Sequence, residues 1–130
     1  MYKIEKRPSG YLLTFQGFIS EAEMLAWSKE AKSHLASQVG PFGVVVDMRK
    51  LSPLPPESQK IMVDTQGLFK QKGMQRSAVV LDNSLVAAQF RRLAKDSGID
   101  AWERYIDASS NPNWSELAVS WVKDGREPPQ

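Results

Sequence analysis

Three aspartates close apolar runs in this chain: Asp47 follows Val44-Val45-Val46, Asp82 follows Val79-Val80-Leu81, and Asp107 follows Tyr105-Ile106. Three carboxylates gathered at one rim of a sheet could hold a hard cation or serve acid-base work. Taken singly, each Asp is better read as a strand exit or helix cap, where its short side chain bonds nearby amides. Arg49 stands two residues beyond Asp47, and Ser52 and Ser58 flank a predicted helix start. A phosphate or a phosphoserine would be stabilised there by free amides and the helix dipole. Either serine can equally satisfy those amides itself. Neither has a histidine nearby in sequence, which leaves a serine nucleophile unsupported.

The rest of the inventory narrows the chemistry. The chain has no cysteine and one histidine, His34, which excludes a disulfide framework and a thiolate metal site and leaves little for zinc or iron. Gly10, Gly17, Gly40 and Gly43 match neither phosphate-binding glycine pattern. No catalytic residue, metal ligand or cofactor is therefore expected. Seventeen Lys and Arg against fifteen Asp and Glu give a net charge of +2, too even for an electrostatic nucleic-acid binder. Arg76, Arg91, Arg92, Lys95 and Arg104 tint one region basic, and Asp96, Asp100 and Glu103 dilute it into a solvated face. Met1 to Arg7 alternates charge and is no secretory leader, and no run approaches a membrane span. The expected address is the cytoplasm.

The elements that must position these residues follow from periodicity. With 130 residues and 42% apolar content, one domain is expected over residues 1–125, followed by a loose tail over 126–130. Strands are predicted at Tyr2 to Arg7 and Tyr11 to Gly17, joined by Pro8-Ser9-Gly10. Ser20 and Glu23 have capping-box spacing and open a helix to about Ser37. Phe42 to Asp47 reads as a strand buried on both faces. Leu51 to Pro56 is a loop, and a helix from Pro56 ends at Gly73. Ser77 to Leu81 is a strand, then comes a helix capped by Asn83 or Ser84 and closed by Gly98. Arg104 to Asp107 is a short strand. The last helix carries Trp114, Leu117, Ala118, Trp121 and Val122 on one stripe.

The α/β fold expected is a mixed, mostly parallel sheet of about five strands, an opening hairpin followed by alternating helices and strands, covered by four helices. Trp114 and Trp121 belong in the core, and Trp102, in a polar segment, is the better exposed contact. The apolar surplus Met62, Val63, Leu68, Phe69 and Met74 fits a core better than an adaptable surface.

The hairpin, the strands Val44-Val45-Val46-Asp47 and Ala78-Val79-Val80-Leu81, and the helix with Ala118 and Trp121 together resemble the SpoIIAA-like branch of the STAS superfamily, the sulfate transporter and anti-sigma factor antagonist domains. Val46-Asp47-Met48-Arg49, Gly73 to Val80 and Glu103 to Asp107 carry the likeness best, and it spans about Tyr2 to Asp124. The resemblance implies a non-catalytic domain that binds a partner protein or a small ligand. Regulatory members place an Asp-Ser-Ser/Thr-Gly phosphoacceptor after the Val44–Asp47 strand. Here the stretch reads Leu51-Ser52-Pro53-Leu54-Pro55-Pro56-Glu57-Ser58, without that motif, so Ser58 is the serine carried over and Ser52 the second. The first expectation is an interaction module whose contacts include Ser58, Ser52, Asp47 and Arg49, with an unknown protein partner. The alternative is a carrier of a small apolar or lipid-like ligand in a cavity lined by Met62, Phe69 and Trp27. An enzyme using the Asp47, Asp82 and Asp107 rim ranks third. A homodimer through an apolar helix face is plausible for so small a domain.

Overall fold

Pro8-Ser9-Gly10 folds the chain back on itself, and the rest of the architecture grows from that hairpin. The structure, a computed structural model, describes residues Met1 to Pro129. Its elements are β1 (Tyr2–Arg7), β2 (Gly10–Gly17), α1 (Glu21–Ala36), β3 (Phe42–Leu51), α2 (Pro56–Gln71), β4 (Met74–Leu81), α3 (Ser84–Ser97), β5 (Glu103–Asp107) and α4 (Trp114–Asp124). The sheet order is β1-β2-β3-β4-β5; β1 and β2 are antiparallel and every other pair is parallel. Each parallel step is a crossover through one helix, as the alternating sequence requires.

The two-residue period of the strands sorts side chains into two unequal layers. Val44, Val46, Met48, Val79 and Leu81 face α1, α2 and α3 and join the main core with Trp27, Met62, Phe69 and Phe90. Ala78, Val80 and Ile106 face the other way and are covered by Ala118, Trp121 and Val122 of α4 alone. Fully burying side chains of this size stabilises by about 1.5–3 kcal/mol each, so both layers are needed. Met62, Phe69 and Met74 are buried, and Val63 and Leu68 half-buried against the core, which accounts for the Met-rich surplus.

Local chemistry explains most element ends. Ser20 caps α1, its Oγ accepting from the Glu23 amide at 3.2 Å. Only that half of the capping box forms, because the Glu23 carboxylate goes instead to the terminal ammonium, 2.8 Å away. Asn83 rather than Ser84 caps α3, and Gly98 and Gly125 end α3 and α4 in the left-handed conformation. Four strands are longer than expected. β2 begins at Gly10, opposite Gly43, not at Tyr11. β3 runs on to Leu51 because Lys50 and Leu51 find partners in Gln16 and Gly17 of β2. β4 begins at Met74, opposite Phe42, and β5 at Glu103, opposite Ser77.

Candidate functional site

β3 outruns β4: the last registered pair between them is Asp47 with Val80. Beyond that point β3 is flanked by β2 only, and Asp47 and Arg49, two residues apart on one face, stand at the carboxyl end of the sheet. Arg49 donates from Nε to Asp47 Oδ1 and from Nη2 to Oδ2, both at 2.9 Å, and its own amide donates to Oδ1 at 3.1 Å. The guanidinium lies 4.1 Å from the ring centre of Trp114 at the start of α4. Burial alone would raise the Asp47 carboxyl, but the hydrogen bonds and charge of Arg49 outweigh it and hold the pKa below the ordinary value. Asp82 lies close enough to add to the raised pKa of Arg49. The Asp47 and Arg49 side chains are 15% and 38% exposed, so a fixed, bidentate, half-open charge pair sits at this rim.

Around it the rim carries apolar side chains that nothing covers. Phe18, directly after β2, is 64% exposed, and Leu85, in the first turn of α3, is 71% exposed. The 52–55 loop runs between them and is held at both ends. Ser52 donates its amide to Gly17 at 3.1 Å. Leu54 donates its amide to Gln89 Oε1 at 2.7 Å and accepts from Gln89 Nε2 at 3.0 Å, with its side chain buried. The rim thus brings together a loop held at both ends, two exposed hydrophobic residues and an ion pair.

Of the serines, Ser52 is exposed on this loop, whereas Ser58 is fully buried and donates to the Ile19 carbonyl at 3.0 Å. An accessible contact at Ser58 is therefore corrected: the side chain faces inward and pins α2 to the segment before α1. The three aspartates do not converge. Asp47 is held by Arg49, and Asp107 accepts from the Ser109 amide at 2.9 Å and hydroxyl at 2.6 Å and from Ser110 at 3.3 Å. Asp82 is exposed, and among the described residues no three His, Cys, Asp or Glu side chains gather as metal ligands.

Trp27, Met62 and Phe69 do meet. Trp27 packs edge-on against Phe15 at 5.2 Å and stacks with Phe69 at 6.2 Å, and all three residues line one cavity between sheet and helices. It leaves about 30 Å³ for the centres of water-sized molecules, enough for one or two waters and no lipid chain. Among the described residues the buried Trp27 Nε1 has no hydrogen-bond partner.

The same cavity exposes what the sequence pattern concealed. Glu103 is buried, not part of a solvated face, and lines the cavity with Ser77 and Gln66. Ser77 Oγ donates to Glu103 Oε1 at 2.9 Å, and the Tyr105 hydroxyl touches both Glu103 Oε2 and, at 3.0 Å, the Phe90 carbonyl. A hydroxyl has one proton, and a carbonyl accepts only; with Glu103 protonated, every contact has a donor. Burial pushes the Glu103 carboxyl up to about 7, against the lowering by Tyr105 and Ser77. The available signal was alternation: Glu103 shares a strand face with Tyr105. Trp102 is also corrected, being half-buried against the main core with its Nε1 enclosed. The tail is partly tied down as well: Arg104 grips Glu127 at 2.8 and 3.1 Å and stacks on Trp121 at 4.3 Å. Gln130 lies outside the described residues.

No helix among the described residues is long and apolar enough to cross a membrane. No protein-family model and no curated protein match the sequence. The fold is similar to that of a solved structure, an uncharacterized DUF3478-family protein with a SpoIIAA-like fold from Shewanella loihica PV-4. It superposes with a TM-score of 0.64 at 15% identity, covering 94% of this chain and 92% of that one. The five-stranded mixed sheet, the four helices and this likeness agree, and the chain has a SpoIIAA-like α/β fold.

Proposed function

We propose that the chain is a non-catalytic interaction module that receives a protein partner on the rim formed by Phe18, the 52–55 loop, Leu85 and the Asp47–Arg49 pair. The observation that carries this reading is the exposure of Phe18 and Leu85 on either side of a loop fixed by backbone bonds. Large apolar side chains at a polar rim gain free energy when a partner removes them from water. Arg49, pre-oriented by Asp47 and Trp114, adds direction through its remaining exposed edge. Ser52 is the serine of this loop that a modifying enzyme can reach.

Photo-crosslinking residues placed singly at positions 18 and 85, in cells producing the chain, test the reading. Discrete protein adducts from both positions are expected, lost on Arg49→Glu, with none from position 39 at the opposite end of the sheet. Equal adducts from position 39, or none from 18 and 85, sink it.

The carrier reading draws support from Trp27, Met62 and Phe69 sharing a cavity, and size counts against it. A native mass spectrum free of any non-water adduct removes it; a bound apolar molecule, lost on denaturation, restores it over the interaction module.

A further inference from the structure

β5 is an edge strand, and its backbone is half spoken for. Ser77 donates its amide to the Trp102 carbonyl at 3.2 Å, and Ala108 donates to the Leu81 carbonyl at 2.8 Å. In a parallel ladder, residues alternate between facing the neighbouring strand and facing away. Arg104 and Ile106 therefore turn their peptide groups to β4, and Glu103, Tyr105 and Asp107 turn theirs outward. Two of the outward carbonyls are capped by side chains, Glu103 by Arg104 Nη1 at 3.1 Å and Asp107 by Asn111 Nδ2 at 2.8 Å. Among the described residues, the amide and carbonyl of Tyr105, between them, have no such cap.

This edge lies at the floor of a groove of about 720 Å³, within the ~300–1,000 Å³ that seats a bound ligand or short peptide. One wall is the first half of α3, including Ala87 and Arg91; the other is the tail, Glu127 to Pro129. With α3 on one side and the tail on the other, the edge presents itself to one extended chain. The groove is polar and graded in charge. Arg104 stands at the Glu103 end, and Arg91 lies over the Tyr105 ring at 4.8 Å with no ion pair among the described residues. Asp82 and Asp107 stand at the far end. The Arg104 fork is already oriented by Trp121 and by the Ala101 and Glu103 carbonyls, and a carboxylate, that of Glu127, occupies its other face in bidentate fashion.

We propose that the open edge of β5 docks an extended, acidic segment of a partner protein, which adds to the sheet as a further strand with its carboxylate on Arg104. Glu127 holds that place at rest, so the tail acts as a competing strap. Strand addition of this kind takes affinity from the main chain and selectivity from the flanking charges. The surface is separate from the Phe18–Leu85 rim and does not depend on it.

The test uses the blocked peptide Thr-Val-Glu-Val-Thr and its counterpart with Lys in place of Glu, titrated into the full chain. The Glu peptide is expected to bind and to slow amide exchange at Tyr105. Glu127→Gln should tighten binding several-fold, Arg104→Gln should weaken it about tenfold, and the Lys peptide should not bind. No protection of Tyr105 in the Glu127→Gln chain overturns the proposal, as does undiminished binding by a folded Arg104→Gln chain. If Arg104→Gln does not fold, the Glu127→Gln result decides alone. Neither failure touches crosslinking at positions 18 and 85, so the two readings fall separately.

Discussion

At the scale of single residues, two buried polar groups set conditions on the fold. Glu103 carries its proton up to about pH 7 in the folded chain, against 4.5 as its ordinary value. Between those values the folded state holds a proton that the unfolded state has released, so stability is full at low pH and declines as pH climbs through the window. The loss amounts to roughly 3 kcal/mol by the upper end. Urea unfolding at pH 5 and pH 8 should show it, and Glu103→Gln, which keeps the shape without the titration, should flatten the difference. Asp47 works with the opposite sign: its lowered carboxyl contributes stability that is lost as pH falls below its ordinary range. Ser58 makes the second condition. Removing its hydroxyl leaves the Ile19 carbonyl without this donor, and Ser58→Ala should cost about 1 kcal/mol in thermal melts. Ser58→Asp puts a carboxylate where no solvent reaches and should cost several-fold more. Equal melting of Ser58→Asp and wild type would show that the helix start opens readily, and would return Ser58 to the surface.

At the scale of elements, close backbone approach decides where β2 and β3 can meet. A Cβ on Gly10 would stand 1.7 Å from the Gly43 carbonyl oxygen, and one on Gly43 would stand 2.9 Å from Val122 Cβ. Gly67, within α2, has nothing within 4 Å. Gly10→Ala should therefore cost about 3 kcal/mol or more and loosen the hairpin, while Gly67→Ala should stabilise by up to about 1 kcal/mol through helix propensity. Urea midpoints of the two variants should move in opposite directions; a shared direction would mean that β2 and β3 shift apart at little cost. Elements like these were largely legible beforehand, because Ser20, Asn83, Gly98 and Gly125 act locally and announce themselves by type. The length of β3 was not: Asp47-Met48-Arg49-Lys50 reads as a polar exit, and only the partner strand β2 shows it to be strand. The site divides in the same way. Asp47 and Arg49 could be named from spacing, but the Trp114 ring and the exposed Phe18 depend on which elements end at one rim. Glu103 was hidden because a charged residue beside Asp100 and Arg104 looks solvated until the strand's alternation turns it inward.

At the scale of the whole molecule, the sheet is covered unevenly, and that asymmetry should govern how the chain opens. Three helices pack one face through a continuous core, whereas α4 alone covers Ala78, Val80 and Ile106 on the other. Its hold is concentrated in Trp121, whose Nε1 donates to the carbonyls of Ser77 at 3.0 Å and Trp102 at 3.1 Å. Arg76 and Arg104 both lie over that ring, at 5.7 and 4.3 Å. Local units with few buried contacts open below the global free energy, and α4 is the helix that can leave without breaking the main core. Trp121→Ala should cost about 3–5 kcal/mol. It should also raise amide exchange in α4 and at β5 before any change in α1 or α2. The same variant should free Arg104 from its ring and so weaken the grip on Glu127, coupling the cover of one sheet face to the edge of β5. Uniform acceleration across all four helices would instead mean that both faces unfold as one unit, and that the strap and α4 cannot move independently of the core.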